Sequence, residues 1–321
     1  MNFFAEFVNL VNDLSTRLKQ NPARLGKILI LLATIIWGSS FVVLKNTLDT
    51  IPTEYLLGFR FSFAALLLAG VFYPMWKKFN LTYLRRGLLL GILLFGAYYT
   101  QTLGLTDTTP GKNAFLTATY CAIVPFFYWA IDKLRPDRYN ISAALLCIIG
   151  IGLVGLDGDL SLRWGDTMTL MGAVFYALHI VTLAKFTRGH DPILLTTLQF
   201  ATCGIFGWLL QIFVVKAPVA PLTSANISAL LYLTVLCSAV ALTFQSYGQK
   251  YTEPATAAIL LSLESVFGVI FSIIFYQENV TIRIFSGFCL IFVALIISET
   301  KLSWLKPQAN FATLKKNPEK S

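Results

Sequence analysis

Charge is what this 321-residue chain has least of: 13% of its residues are Asp, Glu, Lys or Arg, and two are histidine. Soluble domains carry about a quarter charged residues, and a hydrophobic share of 56% leaves too few polar groups to cover a soluble surface. A soluble fold is excluded, and the mean hydropathy of +0.69 agrees. Neither histidine has a cysteine or second histidine at ligand spacing, so the sequence gives no support for zinc or for any other cofactor. The five cysteines, Cys121, Cys147, Cys203, Cys237 and Cys289, all fall inside apolar runs. A thiol there behaves as a small buried hydrophobe, which argues against a disulfide framework. Long polar stretches are missing as well, so no soluble domain is inserted. The net charge of +9 does not point to nucleic acid, because the basic residues sit at the ends of apolar segments and not on one soluble face.

What is present is a series of apolar runs near the roughly 20 residues that span hydrocarbon. Ten are found, approximately 28–44, 55–73, 87–104, 114–131, 141–156, 168–183, 193–215, 227–247, 255–276 and 282–297. They predict an all-α integral membrane protein with ten transmembrane helices and the lipid bilayer as its solvent. The fifth and sixth runs are short and need a thin local bilayer or protein neighbours. The first run is too long, and lacks the small-residue cleavage site, for a removable signal peptide. Ahead of it, Phe3, Phe4, Phe7, Val8, Val11, Leu14 and Leu18 recur at helical spacing. That pattern fits an amphipathic helix lying on the membrane, and a disordered tail is the alternative. After Trp304 the chain is polar and rich in lysine.

Orientation follows from the basic residues, which are enriched in loops kept in the cytoplasm. One side collects Lys77, Lys78, Arg85, Arg86, Lys133, Arg135, Arg138, Lys185, Arg188 and Lys250 together with the basic residues of both terminal segments. The other side has Lys45, Lys112, Arg163, Lys216 and Arg283. Both termini are therefore expected in the cytoplasm, with the protein in the cell membrane.

Sliding the chain over itself by 144 positions aligns Ala97 with Ala241, Gln101 with Gln245, Gly104 with Gly248, Thr108 with Thr252, Pro110 with Pro254, Ala114 with Ala258, Leu116 with Leu260 and Phe127 with Phe271. Chance gives about a quarter of that, so the pattern is a repeat. At a slightly smaller offset Phe61 lies over Phe200, and Trp37 falls near Phe175. Five spans per half is odd, so the two halves are expected upside down relative to each other. Inverted repeats of this kind build alternating-access transporters with a substrate site near the midplane.

Trp37-Gly38-Ser39-Ser40-Phe41 in the first span resembles the opening motif of the drug/metabolite transporter superfamily, EamA type. Arg60-Phe61, the run Ala257 to Glu264, and Tyr276-Gln277-Glu278 are similar to the family's pattern, and the resemblance extends from Lys27 to Glu299. Gly165-Asp166 with Ala177-Leu178-His179-Ile180 is similar to one branch of it. Ser265 departs from the proline that the family usually has after the glutamate, and Asp132-Lys133 stands where a glutamate often closes the fourth span. The resemblance implies two five-helix repeats and outward movement of amino acids or related metabolites. Four segments are expected: a cytoplasmic segment 1–26, repeats over 27–157 and 165–299, and a cytoplasmic tail 300–321.

Candidate site residues are polar or aromatic groups at depths that lipid does not tolerate. At a rise of about 1.5 Å per residue, Tyr120 and Glu264 lie about 15 Å into their spans and are repeat mates; Trp37, Tyr98 and Tyr99 reach similar depth. A carboxylate at mid-bilayer costs about 3 kcal/mol on insertion scales. Glu264 must therefore face a cavity or a partner, either exchanging protons or binding an amine, or else serving as a hydrogen-bonded packing group. Gln101 and Gln245 are a symmetry-related polar pair, read equally as cavity lining or helix glue. Phe175 and Tyr176 join the aromatics that either line a pocket or pack. His179 is read first as an interhelical hydrogen-bond partner, and Arg60 as a snorkelling residue. Pro125 is expected to kink the fourth span. Gly150-Ile151-Gly152-Leu153-Val154-Gly155 matches a dinucleotide-binding pattern by letter, yet it lies inside an apolar run, where close helix packing explains it better.

A secondary transporter of a small-molecule substrate, with proton coupling through Glu264, is thus the expected function. The alternatives are a membrane-embedded enzyme, for which no clustered nucleophile, base or metal set is found, and a receptor or scaffold, for which the loops are short. The orientation predicts that single cysteines at Lys77 and Lys316, in an otherwise cysteine-free protein, are protected from an impermeant reagent in intact cells, while cysteines at Lys112 or Lys216 are labelled. The reverse pattern inverts the topology.

Overall fold

The structure is a computed structural model that describes residues 21–133, 135–155, 163–216 and 223–301. The expected amphipathic segment ahead of Asn21 and the basic tail lie outside those residues. Within them the chain forms helices α1 Pro22–Leu48, α2 Thr53–Val71, α3 Leu81–Thr106, α4 Pro110–Asp132, α5 Arg138–Gly155, α6 Trp164–Thr187, α7 Pro192–Val215, α8 Ser224–Lys250, α9 Pro254–Tyr276 and α10 Ile282–Thr300. Eight of them are long and apolar enough to cross a membrane. The other two, α5 and α10, hold shorter apolar stretches, 138–150 and 282–294.

Helix starts follow local chemistry. Asn80 accepts from the N–H groups of Thr82 and Tyr83 at 2.9 and 3.1 Å to open α3, and Asp191 accepts from Ile193 N–H at 3.0 Å to open α7. Proline sits at the first helical position of α1, α4, α7 and α9, where its missing N–H removes no intrahelical bond. Pro125 lies within a helical stretch, Tyr120–Asp132, and the break in α4 falls earlier, at Thr119. There the backbone tightens, and the Thr119 hydroxyl donates to the Leu116 carbonyl at 2.7 Å. Ser265 leaves α9 continuous, and its hydroxyl donates to the Ser262 carbonyl at 2.7 Å.

Packing follows the repeat. The α3–α6 contact has its mate in α8–α1, and α2–α7, α4–α9 and α5–α10 each map onto themselves, the pattern a two-fold axis produces. Glycines make the two mated contacts close. A Cβ added to Gly104 would stand 2.6 Å from the Gly165 carbonyl oxygen, and one added to Gly248 would stand 2.7 Å from that of Gly26. Small residues let helix backbones approach where lipid gives no hydrophobic drive for association. Gly150 has the same use, since a Cβ there would meet Ile291 at 2.6 Å across the α5–α10 contact.

Gly104→Val and Gly248→Val should each lower stability by about 1–3 kcal/mol through overpacking. Gly70→Ala, where an added Cβ meets nothing within 4 Å, should not. Thermal melting of the purified protein in detergent checks both expectations.

Candidate functional site

Backbone geometry in α8 creates the first element of the site. Over Leu233–Val240 the helix widens into π form, a distortion often found at functional positions. Ser238 donates its hydroxyl to the Leu233 carbonyl at 3.0 Å within this segment. The Cys237 carbonyl is bonded from other helices. It accepts the Trp37 indole Nε1–H of α1 at 2.7 Å and an Arg60 Nη2–H of α2 at 3.4 Å.

Arg60 is buried, 1% exposed. Its Nε donates to Ser238 Oγ at 2.5 Å, and its guanidinium carbon stands 4.8 Å from the Tyr98 ring centroid and 5.3 Å from that of Phe61. Cation–π attraction is strongest in such desolvated settings. Arg60 makes no ion pair among the described residues. The snorkelling expected of it does not occur, because the π segment of α8 offers partners at its own depth.

These groups surround a central cavity with about 30 Å³ of free space, room for water but far below the roughly 300 Å³ or more of small-molecule pockets. Trp37, Tyr98, Gln101, Tyr120, Gln245 and Glu264 line it, together with Arg60 and Tyr176. Glu264 is 7% exposed and accepts from its repeat mate, the Tyr120 hydroxyl, at 3.5 Å. Gln101 accepts from the Tyr176 hydroxyl at 2.8 Å and donates to Thr117 Oγ1 at 3.0 Å, so its amide is tied into the cavity wall. Tyr98 meets Tyr176 edge-on at 5.5 Å between centroids.

Three expected site residues lie elsewhere. The Tyr99 hydroxyl donates to Glu54 Oε1 at 2.9 Å, and its ring stacks on Phe95. Phe175 packs over Gly96. His179 is fully buried, with Nε2 2.8 Å from Gln199 Oε1, a link between α6 and α7. Each is one residue away from a cavity-lining neighbour, and a step of one residue turns a helix face by about 100°. Sequence reading passed over Arg60 as a site group; the signal available was its charge at a depth that lipid does not tolerate. It had no signal for the π segment.

Trp37→Phe keeps the ring surface and removes the indole N–H, leaving the Cys237 carbonyl with one partner fewer. It should lower stability by about 1 kcal/mol without loss of folded yield, as measured by chemical or thermal unfolding in detergent.

Comparison with known proteins accords with this geometry. The chain is 30% identical over 275 residues to an uncharacterized transporter of Archaeoglobus fulgidus, covering 83% of each protein. It is 20% identical over 301 residues to the uncharacterized transporter YrdR of Bacillus subtilis, covering 88% of this chain and 93% of that one. A solved crystal structure with 14% sequence identity superposes with a TM-score of 0.67 over 88% of this chain and 98% of the other, a likeness of fold alone. The model of the EamA-like transporter family matches twice, over residues 24–156 and 163–300, so the chain belongs to the EamA-like transporter family.

Proposed function

We propose that this membrane transporter is a secondary exporter of small metabolites that carry both an amine and a carboxylate, amino acids being the simplest class. The observation that carries the reading is that Arg60, buried and without an ion pair among the described residues, and a buried Glu264 face one small cavity. A buried charge is stable only when paired or well hydrogen-bonded. A zwitterion supplies both missing partners: its carboxylate meets the guanidinium, which presents planar paired donors, and its ammonium meets Glu264. Trp37, Tyr98, Tyr120 and Tyr176 offer aromatic surface to an apolar side chain.

In this reading all ten helices cross the cell membrane with both termini in the cytoplasm, and the two five-helix halves are inverted about an axis in the membrane plane. Alternating access moves one half against the other around a fixed site. The cavity as it stands is too small for a metabolite, which supports a closed conformation from which helices must part to admit substrate. Coupling runs through Glu264. A carboxylic acid at that depth is stabler neutral than charged unless a cation accompanies it, so a proton and a substrate ammonium compete for the same group.

Glu264→Gln keeps shape and hydrogen bonding but cannot ionise. It should insert and fold normally, and in proteoliposomes it should lose pH-dependent flux of amino acids. Wild-type flux with a wild-type pH profile would reduce Glu264 to a packing group. Trp37→Ala should weaken apparent substrate affinity while the pH profile persists. Arg60→Met should abolish flux of zwitterions, and retained transport of carboxylate-bearing substrates would remove the guanidinium from the site.

A further inference from the structure

The helix pair that brings Tyr120 and Glu264 together is fastened differently at its two ends. Where α9 finishes, Gln277 takes the left-handed conformation with φ 53°, which turns Glu278 back toward the start of α4. The Glu278 carboxylate accepts from the Thr109 hydroxyl at 2.5 Å, from the Gly111 N–H at 2.9 Å and from the Ser272 hydroxyl at 2.5 Å. It thereby joins the last turn of α9 to the N-terminus of α4, where the free N–H groups and helix dipole favour an anion. A Cβ added at 111 would stand 2.6 Å from Glu278 Oε2, so a larger residue there displaces the carboxylate. Thr109, Glu278 and Lys45 line a vestibule of about 570 Å³ at this end. Lys45 itself donates to the Leu105 and Thr106 carbonyls, and its neighbour Leu44 lines the central cavity.

The repeat allows the opposite end to be compared position by position. Lys133, the mate of Gln277, is also left-handed at the close of α4, with φ 62°. The backbone turn is thus duplicated, but the residues that use it are not. In the order of Glu278, Thr109, Gly111 and Ser272, the mates are Leu134, Glu253, Ala255 and Tyr128. The mate of Glu278 is thus a leucine, a glutamate and an alanine stand in place of Thr109 and Gly111, and Glu253 at the start of α9 makes no side-chain cap hydrogen bond; the carboxylates near this turn pair with other helices, Asp132 with Lys185 and Asp137 with Lys301.

We propose that Glu278 is a one-sided latch, holding α4 and α9 together at the Lys45–Lys112 end of the bundle, with no equivalent between the same two helices at the other end among the described residues. The inference rests on the alternating-access reading and adds a bias to it: closure of the latched end is favoured, and the opposite end opens more readily. Two charge-assisted hydrogen bonds, from Thr109 and Gly111 of α4, must break before the latched end parts, while the third, from Ser272 of α9, holds the carboxylate in place. In the orientation expected from the basic residues, that end faces away from the cytoplasm, so the resting transporter is sealed to the outside.

The test places a single reporter cysteine at Leu44 in a cysteine-free background and measures its rate of modification by an impermeant thiol reagent applied to one side of the membrane at a time, without substrate. Glu278→Ala, Gly111→Ala and Ser272→Ala remove or crowd the latch to decreasing degrees, so a milder variant remains if the most severe does not fold. Each folded variant should speed labelling from the latched side, by about tenfold for loss of interactions worth one charge-assisted bond, and slow it from the other. Unchanged rates, or an equal rise from both sides, would overturn the latch. Because the readout needs no substrate, unchanged labelling in a protein with normal flux removes the latch alone. Altered labelling in a protein that moves no amino acid removes the transport reading alone.

Discussion

Polar groups need protein partners where water is absent, and in this protein one backbone carbonyl, that of Cys237, is bonded from two other helices at the centre. Within the π segment Leu233–Val240 the Cys237 carbonyl accepts from both Trp37 and Arg60. α1, α2 and α8 are thereby held at one depth by a single oxygen. Arg60, fixed from below by Ser238 and from the side by the Tyr98 ring, is kept as a charge facing the cavity. Two of the lining side chains, Trp37 and Arg60, are thus bonded to that widened segment.

Around this centre the scaffold is close to symmetric. Gly104 against Gly165 and Gly26 against Gly248 are the same contact made twice, and the neighbouring helices inherit the same approach. The side chains that carry chemistry depart from the symmetry. Glu264 faces its mate Tyr120, so one half supplies an acid where the other supplies a phenol. The packing is duplicated, and the residues that line the shared cavity are not. The latch at Glu278 repeats this relation at the surface, with the backbone turn kept in both halves and the carboxylate in one.

Depth along a helix is a one-dimensional quantity, and the sequence carried it well. Counting residues puts Glu264, Tyr120, Trp37 and Tyr98 near mid-span, the repeat pairs Gln101 with Gln245, and all six line the cavity. Which way a residue faces around the helix is not encoded in depth. Tyr99, Phe175 and His179 have suitable chemistry at suitable depth, and they face Glu54, Gly96 and Gln199 instead.

The sequence by itself determined that the chain is helical and lies in a membrane, because 56% hydrophobic residues in long runs have no other solvent. It also determined the repeat, because close glycine contacts and paired glutamines leave their spacing in the order of residues. The tertiary structure decided what Arg60 does, since the partners that hold it at depth lie on α8, about 178 positions along the chain, in a π segment that has no signature in composition. It likewise decided which aromatics meet and that the Glu278 carboxylate reaches back to Thr109 and Gly111. Those outcomes depend on helices distant in sequence arriving at one place with a particular rotation, and residue order specifies the rotation only through the packing of the whole bundle.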